Sequence, residues 1–152
     1  MTFWPGHPYV YVVRENDDAI SVFAYANGLL GAPLQEISTL PTGVGGGGNT
    51  CAEIAIGKGN FLYASNRGHD SIAVFSIDPS SGELALVQHQ PTGGETPRHF
   101  TIDATGTLML VGNQGSSTVA AFAIDAVTGK LSPKAVTTNV GPVEFVGIHY
   151  IE

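Results

Sequence analysis

The stretch FLYASNRGHDSIAVF, residues Phe61 to Phe75, is the key to the fold, because the chain contains it in three variant copies. YVVRENDDAISVF lies 52 positions earlier, counted from Tyr11 to Tyr63, and LVGNQGSSTVAAF lies 47 positions later, counted from Tyr63 to Leu110. Each copy is an apolar run, a polar turn and a second apolar run that ends in Phe, which is the pattern of a β-hairpin. A period of this length with several strands inside it is typical of one blade of a β-propeller.

Aligning the repeats predicts four strands in each period. The middle repeat gives strands at Cys51–Ile56, Phe61–Asn66, Ser71–Asp78 and Leu84–Gln90, and the last gives Pro97–Asp103, Leu108–Asn113, Thr118–Asp125 and a strand that starts near Leu131. We therefore predict an all-β chain, a partial β-propeller of about three four-stranded antiparallel blades. The predicted blades are 1–45, 46–94 and 95–140, followed by a closing strand within 141–152.

The two ends of the repeat pattern predict open flanks. The first period starts halfway along its first strand, and Val143–Ile148 resembles a first strand with no blade after it. Known propellers close rings of about four to eight blades, so three blades leave two flanks without a neighbour. Two interpretations stay open. Either a second copy covers the flanks, in a homodimer whose terminal strands complete one ring, or the chain is a piece of a longer propeller.

Composition excludes several classes of function. The net charge is −7 with only six Lys and Arg residues, which is too few for the basic face of a nucleic-acid-binding domain. No apolar run approaches the roughly 20 residues that a membrane span needs, so we expect a cytoplasmic protein without a membrane partner. Cys51 lies in an apolar strand and is expected to be a buried small hydrophobe. The turn carboxylates Asp17, Asp18 and Asp70 are expected to be turn residues, with no bound metal.

A glycine-rich insert, 41–50, follows the first repeat. Gly43, Gly45 and Gly48 fit the spacing G-x-G-x-x-G. A strand-like segment follows them, whereas a dinucleotide site needs a helix whose N-terminus holds the pyrophosphate. We expect a loop here and no cofactor.

The charged residues divide between the two rims of the predicted blades. In an antiparallel meander, the turns after the second and fourth strands lie at one rim and the other turns lie at the opposite rim. The first rim receives Arg14, Glu15, Arg67, His69, Arg98, His99 and Gln114, while Lys58 and Lys130, with Lys134 close by, are assigned away from it. Three arginines on one rim favour a small anionic ligand. The alternative is that Arg67 forms a solvated salt bridge with Glu15 or Asp70.

At these residues the chain resembles a known family. The segments YVYVVRENDDAISVFAY, YASNRGHDSI, TPRHFTID and GPVEFV are similar to the seven-bladed propeller lactonases, which include propeller-type 6-phosphogluconolactonase and the carboxymuconate-lactonizing enzyme. The resemblance runs over nearly the whole chain and implies the C-terminal three blades of such a propeller. It implies a lactone hydrolase, with a carboxymuconate-type cycloisomerase or a non-catalytic binding propeller as alternatives.

The resemblance also implies roles for single residues. Glu15 and Arg67 occupy positions that line the family's active-site cleft, Glu15 as general base on water and Arg67 as stabiliser of the carbonyl oxygen. Arg98 and His99 are candidates for binding a substrate phosphate. Arg14, His69 and Gln114 complete the set of candidate substrate-binding residues. An Arg that the family places just ahead of Met1 and a His in an earlier blade have no counterpart in this sequence, so a partner would have to supply them.

Overall fold

The computed structural model describes residues 1–45, 47–137 and 140–151. All regular secondary structure in those ranges is β-strand. The strands are β1 (Thr2–Phe3), β2 (Tyr9–Arg14), β3 (Ala19–Ala26), β4 (Leu29–Ser38), β5 (Thr50–Ile56), β6 (Phe61–Arg67), β7 (Ser71–Ile77), β8 (Leu84–Pro91), β9 (Pro97–Ile102), β10 (Leu108–Asn113), β11 (Thr118–Ile124) and β12 (Leu131–Thr137).

The strands form three antiparallel sheets of four, each in simple meander order. The first blade is β1–β4, the second is β5–β8 and the third is β9–β12. The pairing register is the same in all three blades. In each blade, the Phe that ends the sequence repeat pairs with an apolar residue of the preceding strand. These pairs are Val10 with Phe23, Leu62 with Phe75, and Met109 with Phe122. The predicted all-β class and the three four-stranded blades are confirmed.

The core lies between the blades, and strand alternation builds it. Successive residues of a strand point to opposite faces, so a central blade can be apolar on both. Leu62 and Phe75 of the second blade pack toward the first blade, in a cluster that includes Trp4 and Ile20. Their neighbours pack toward the third blade, in a cluster with Phe61, Tyr63, Ile72, Val74, Phe100, Met109 and Phe122. The three blades therefore stand face to face.

Two polar contacts recur at both blade junctions. Tyr11 Oη donates to the Gly82 carbonyl at 2.9 Å, and Tyr63 Oη donates to the Gly129 carbonyl at 2.9 Å. On the outer strands, the side-chain amide of Gln35 bonds both backbone groups of Leu84, and that of Gln88 does the same to Leu131. Because each donor reaches the next blade, these bonds fix the spacing between blades.

The turns after β2, β6 and β10 define one rim. Asp18, Asp70 and Ser117 occupy the same turn position with φ of 51°, 54° and 56°, a backbone conformation that Asp adopts more readily than most residues. Lys58, between β5 and β6, and Lys130, between β11 and β12, lie in turns of the opposite rim. We call the first of these the arginine rim, because Arg14 and Arg67 end the strands that lead into it.

The C-terminal segment, residues 140–151, is not a strand in this chain. Val143 and Val146 are buried, and a Cβ on Gly112 would lie 2.6 Å from Val143 Cγ1, so the segment is seated closely on the third blade. The predicted closing strand, 143–148, was expected to pair outside this chain, and within the chain it forms no strand. Its pairing with another chain stays a prediction. Gly46 and Glu152, at the ends of two predicted ranges, lie outside the described residues.

Candidate active site

Glu15 and Arg67 meet across the junction of the first and second blades. Arg67 Nη2 donates a hydrogen bond to Glu15 Oε1 and another, of 3.0 Å, to the Cys51 carbonyl oxygen. The Cys51 N–H donates to the Glu15 carbonyl oxygen at 2.8 Å. Glu15 is 63% exposed, whereas Arg67 is 15% exposed. Cys51, at the start of β5, thus bonds both the turn that contains Glu15 and the Arg67 side chain. The Arg67 guanidinium is therefore fixed, while the Glu15 carboxylate faces solvent.

An open, polar cleft of about 480 Å³ surrounds this pair. The first strands of the second and third blades form its floor, and the C-terminal segment forms one wall. Its lining residues are Met1, Val13, Glu15, Cys51, Ala52, Glu53, Arg67, Arg98, His99 and Glu144. The cleft therefore brings together four predicted site residues, namely Glu15, Arg67, Arg98 and His99.

Glu53 and His99 form a second pair in the cleft. His99 Nε2 lies 3.3 Å from Glu53 Oε2, and the Ile54 N–H donates to Glu53 Oε1 at 3.0 Å. The Val146 N–H donates to His99 Nδ1 at 3.3 Å, so that nitrogen is an acceptor and the ring proton belongs on Nε2. With Nδ1 accepting, His99 Nε2 donates to the Glu53 carboxylate and fixes its position.

Sequence reasoning missed Glu53, although the repeat contained a signal for it. Glu53 lies two residues after Cys51, and His99 lies two residues after Pro97, at the same position of successive first strands. A bulge between Cys51 and Ile54 accompanies this position in β5, and Ser65 Oγ accepts a hydrogen bond from the Glu53 N–H at 3.0 Å. No sequence pattern predicts this bulge, which helps to set the direction of the carboxylate.

The C-terminal segment contributes Glu144. Gln114 Nε2 donates to Glu144 Oε1 at 3.1 Å, while Val143 and Val146 anchor the backbone on either side. Gln114 does not line the cleft itself. It lies at the edge of the cleft and holds the Glu144 side chain by this hydrogen bond. Phe145 lies 4.3 Å from the His99 ring, centroid to centroid, and covers it.

Arg14 does not reach the cleft. Its guanidinium pairs with Glu36 Oε1 at 3.2 Å and with Asp17 Oδ2 at 3.5 Å, on the side of the blade that faces β4. Arg14 occupies the repeat position of Asn66, one residue before that of Arg67, and neighbouring strand residues point to opposite faces. The structure therefore brings Arg67 and Arg98, but not Arg14, to the cleft, and a role of Arg14 in substrate binding stays a prediction.

His69 also lies outside the cleft. Its Nδ1 lies 2.7 Å from Ser71 Oγ, and its backbone N–H donates to Asn49 Oδ1 at 2.9 Å. It lines a separate hollow of about 260 Å³ under the glycine-rich loop. A Cβ on Gly68 would lie 2.6 Å from the Gly48 carbonyl oxygen, so the loop packs directly on this turn. His69 supports the loop from a position away from Arg67.

A buried polar network lies behind Arg67. Asn66 Oδ1 accepts from Thr39 Oγ1 at 2.7 Å, and Asn66 Nδ2 donates to the Thr39 carbonyl at 2.8 Å. Cys51 is fully buried next to this network, as predicted, and burial raises the pKa of its thiol. A thiol that ionises less readily is a poor nucleophile, so Cys51 has a packing role.

The opposite rim has a cleft of similar size, about 410 Å³, lined by Trp4, Lys58, Asp103 and several glycines. Burial opposes ionisation of Asp103, but hydrogen bonds from the Thr105 hydroxyl, from three backbone N–H groups and from Tyr150 outweigh it and lower the pKa of the carboxyl. This carboxylate is a structural turn residue. The arginine rim is accordingly the better candidate for chemistry.

In the described ranges, no three His, Cys, Asp or Glu side chains are grouped as metal ligands would be. Over the same residues there is no helix that could cross a membrane.

Comparison with known proteins agrees with this architecture. Residues 1–147 match the family described as "Lactonase, 7-bladed beta-propeller". A 6-phosphogluconolactonase of Bacillus subtilis is 36% identical over 107 residues, which are 69% of this chain and 30% of that protein. One of Formosa agariphila is 58% identical over 55 residues, or 35% of this chain and 16% of that protein.

Among solved structures, the periplasmic gluconolactonase PpgL of Pseudomonas aeruginosa superposes with a TM-score of 0.84 at 30% identity. The match covers 93% of this chain and 39% of that one. The chain spans about a third or less of the length of the curated relatives it matches. The repeated blades, their register and the match over residues 1–147 together place this chain in the seven-bladed β-propeller lactonase family.

Proposed function

We propose that this chain provides part of the active site of a sugar-acid lactone hydrolase, of the chemical class to which 6-phosphogluconolactonases belong. The observation that carries the proposal is the contact between Glu15 and Arg67 in an open cleft on the arginine rim. Family membership and the printed names of its relatives support the same reaction class.

The proposed reaction needs a base for water and a cation for the carbonyl oxygen. Glu15 takes a proton from water as the water oxygen bonds to the lactone carbonyl carbon. Arg67 hydrogen-bonds the carbonyl oxygen as it becomes negatively charged, and its anchor on the Cys51 carbonyl keeps it in place. Collapse of the intermediate breaks the bond from that carbon to the ring oxygen, which leaves with the electron pair. The ring oxygen then takes a proton, and an open-chain hydroxy acid results.

We further propose that the working form has its flanks covered by blades of a second copy. The first blade exposes Leu29, Leu30 and Leu34 on its outer strand β4, and Phe3 on the short strand β1. Exposed apolar surface of this extent usually marks an interface. Further blades of a longer protein would cover the same surface. Either arrangement would enclose the cleft and could add the Arg and His that the family places elsewhere.

Substitution of Arg67 tests the proposed hydrolase activity directly. Hydrolysis of glucono-δ-lactone and of its 6-phosphate would be followed above the spontaneous rate for the wild type, Arg67→Lys and Arg67→Ala. We expect Arg67→Ala to lower kcat/KM by about 100-fold or more, and Arg67→Lys to lower it by at least about tenfold, because an ammonium lacks the planar fork of donors.

Lys130→Ala is the matched control, since it removes one positive charge from an exposed turn of the opposite rim. It should leave kcat/KM unchanged. Equal turnover by the wild type and both Arg67 variants would refute the role of Arg67. Binding of the lactones without turnover would favour the non-catalytic alternative, and turnover of a carboxylated diene alone would favour the cycloisomerase.

A further inference from the structure

One buried hydroxyl group lies behind both residues that anchor Arg67. Thr39 Oγ1 donates to Asn66 Oδ1 at 2.7 Å, and Cys51 Sγ lies 3.2 Å from the same hydroxyl. Asn66 directly precedes Arg67, and the Cys51 carbonyl oxygen accepts the hydrogen bond from Arg67 Nη2. Thr39 therefore contacts both strands that hold the guanidinium, although it does not line the cleft itself.

The Thr39 backbone is held on both sides as well. Its carbonyl oxygen accepts from Asn66 Nδ2 at 2.8 Å and from His89 Nε2 at 2.9 Å. Its N–H donates to the Asp18 carbonyl oxygen at 2.8 Å. Thr39, Asn66 and Cys51 are fully buried. Because buried polar networks rigidify the core when their groups are satisfied, the Thr39 hydroxyl has one fixed position.

The junction of the second and third blades lacks this network. Thr92 occupies the position of Thr39, since its N–H donates to the Asp70 carbonyl oxygen at 2.9 Å in the equivalent turn. The Thr92 hydroxyl donates to backbone carbonyl oxygens and does not reach a neighbouring amide side chain. Asn113, the counterpart of Asn66, is left with a buried Oδ1 that has no hydrogen-bond partner among the described residues.

The anchor at the start of the strand differs between the two junctions in the same way. Pro97 stands at the position of Cys51, since each pairs with the asparagine of the next strand. Proline has neither a thiol nor a backbone N–H, so two of the contacts of Cys51 cannot form there. Of these two junctions, only the one that holds Glu15 and Arg67 has the complete network.

We infer that Thr39 and Asn66 are positioning residues for Arg67. The Thr39 hydroxyl keeps the start of β5 and the end of β6 at a fixed separation, and it thereby keeps the guanidinium where the lactone carbonyl becomes charged. The inference rests on the proposed function and adds to it two buried residues that do not touch the substrate. Displacement of Arg67 weakens a bond that matters most in the transition state, so kcat should change more than KM.

Kinetics of Thr39 variants test this role with the two lactones of the Arg67 assay. Thr39→Val keeps the shape of the side chain but removes the hydroxyl. It should lower kcat by about tenfold and leave KM within about twofold of the wild type. Affinity for glucono-δ-lactam, which has the hydroxyls of glucono-δ-lactone but resists hydrolysis, should change as little as KM. Thr39→Ser restores the hydroxyl and should recover kcat to within about threefold of the wild type.

Thr92→Val is the matched control, since it removes a similarly buried hydroxyl at the other junction. It should leave kcat and KM unchanged, whereas its effect on urea unfolding should resemble that of Thr39→Val. Equal losses of kcat in the two variants would reduce the effect to general stability and overturn the inference.

His89→Leu is the second variant, for use if Thr39→Val does not fold. It removes one hydrogen bond to the Thr39 carbonyl oxygen from a residue that is only partly buried. It should lower kcat by about threefold, because the network loses one of its supports. An unchanged kcat in His89→Leu would then overturn the inference.

Hydrogen exchange at Cys51 gives a readout that does not depend on turnover. The Cys51 N–H donates to the Glu15 carbonyl oxygen, so its exchange rate reports whether the start of β5 is held. Thr39→Val should speed this exchange by about tenfold, while Val111 of the third blade exchanges as in the wild type. Faster exchange at Cys51 without lactone turnover by any variant would refute the hydrolase and leave the anchoring of Arg67 standing. Unchanged exchange and unchanged kcat in Thr39→Val would overturn the inference and leave the hydrolase proposal standing.

Discussion

At the scale of single residues, the direction of a side chain decides which candidates share the cleft. Arg14 and Arg67 both end a strand that leads to the arginine rim, yet Arg14 points to Glu36 and Arg67 points to Glu15. The repeat alignment placed both residues on the correct rim. It missed the orientation because one position along a strand reverses the face.

Tyr63 shows how one hydroxyl group links two blades. Its Oη donates to the Gly129 carbonyl inside the core, and burial raises its pKa to about 12. Tyr63→Phe should lower the free energy of unfolding by about 1–2 kcal/mol, because the buried carbonyl loses its partner. Urea unfolding would measure this. Tyr25→Phe is the matched control, since the Tyr25 hydroxyl makes no side-chain hydrogen bond among the described residues, and it should have little effect.

The same residue predicts a dependence on alkaline pH. An unfolded tyrosine loses its proton near pH 10, whereas folded Tyr63 keeps it to about 12. The folded state therefore binds more protons in this window, and stability should fall as the pH rises through it. The fall should be smaller in Tyr63→Phe than in the wild type. An equal fall in both proteins, or an unchanged unfolding free energy in Tyr63→Phe, would show that the Tyr63 hydroxyl contributes nothing to stability.

At the scale of elements, the strands could be predicted well because each one is repeated. Three copies of the same apolar pattern fixed the boundaries of β5–β12 to within one or two residues. Segment 143–148 is not a strand within the chain, and its pairing with another chain stays a prediction. The direction of the Glu53 carboxylate could not be predicted, since the bulge in β5 depends on pairing with β6 that local sequence does not encode.

Substitutions on strand β4 can test whether a second copy covers the open flank of the first blade. It is exposed along most of its length, and Leu29 and Leu30 are 73% and 49% exposed. If a second copy covers this flank, light scattering should give a mass of about twice the 15.8 kDa of one chain. Leu30→Lys should shift the protein toward the monomer, because burial of a charge at the interface is costly.

Val127→Lys provides the matched control for that experiment. Val127 is 86% exposed, in the turn between β11 and β12 and away from the flank. It should leave the mass unchanged. A wild-type protein that is monomeric at all concentrations tested would contradict coverage by a second copy.

At the scale of the whole molecule, three blades bring one residue set to a shared surface. The first blade supplies Glu15, the second supplies Glu53 and Arg67, the third supplies Arg98 and His99, and the C-terminal segment supplies Glu144. No single blade holds the site. The shared rim could be predicted from the order of the strands alone. The position of the C-terminal segment against the cleft could not, because it depends on the packing of Val143 on Gly112.

The central claim is that ligands bind in the cleft on the arginine rim, and NMR can locate the bound ligand. Backbone amide NMR signals of the ¹⁵N-labelled chain would be followed during titration with glucono-δ-lactam. We expect the signals of Ala52, Glu53, Arg67 and His99 to shift together, with a single affinity. Shifts confined to the opposite rim, at Lys58, Gly59, Asp103 and Gly106, or no shifts at all, would contradict it.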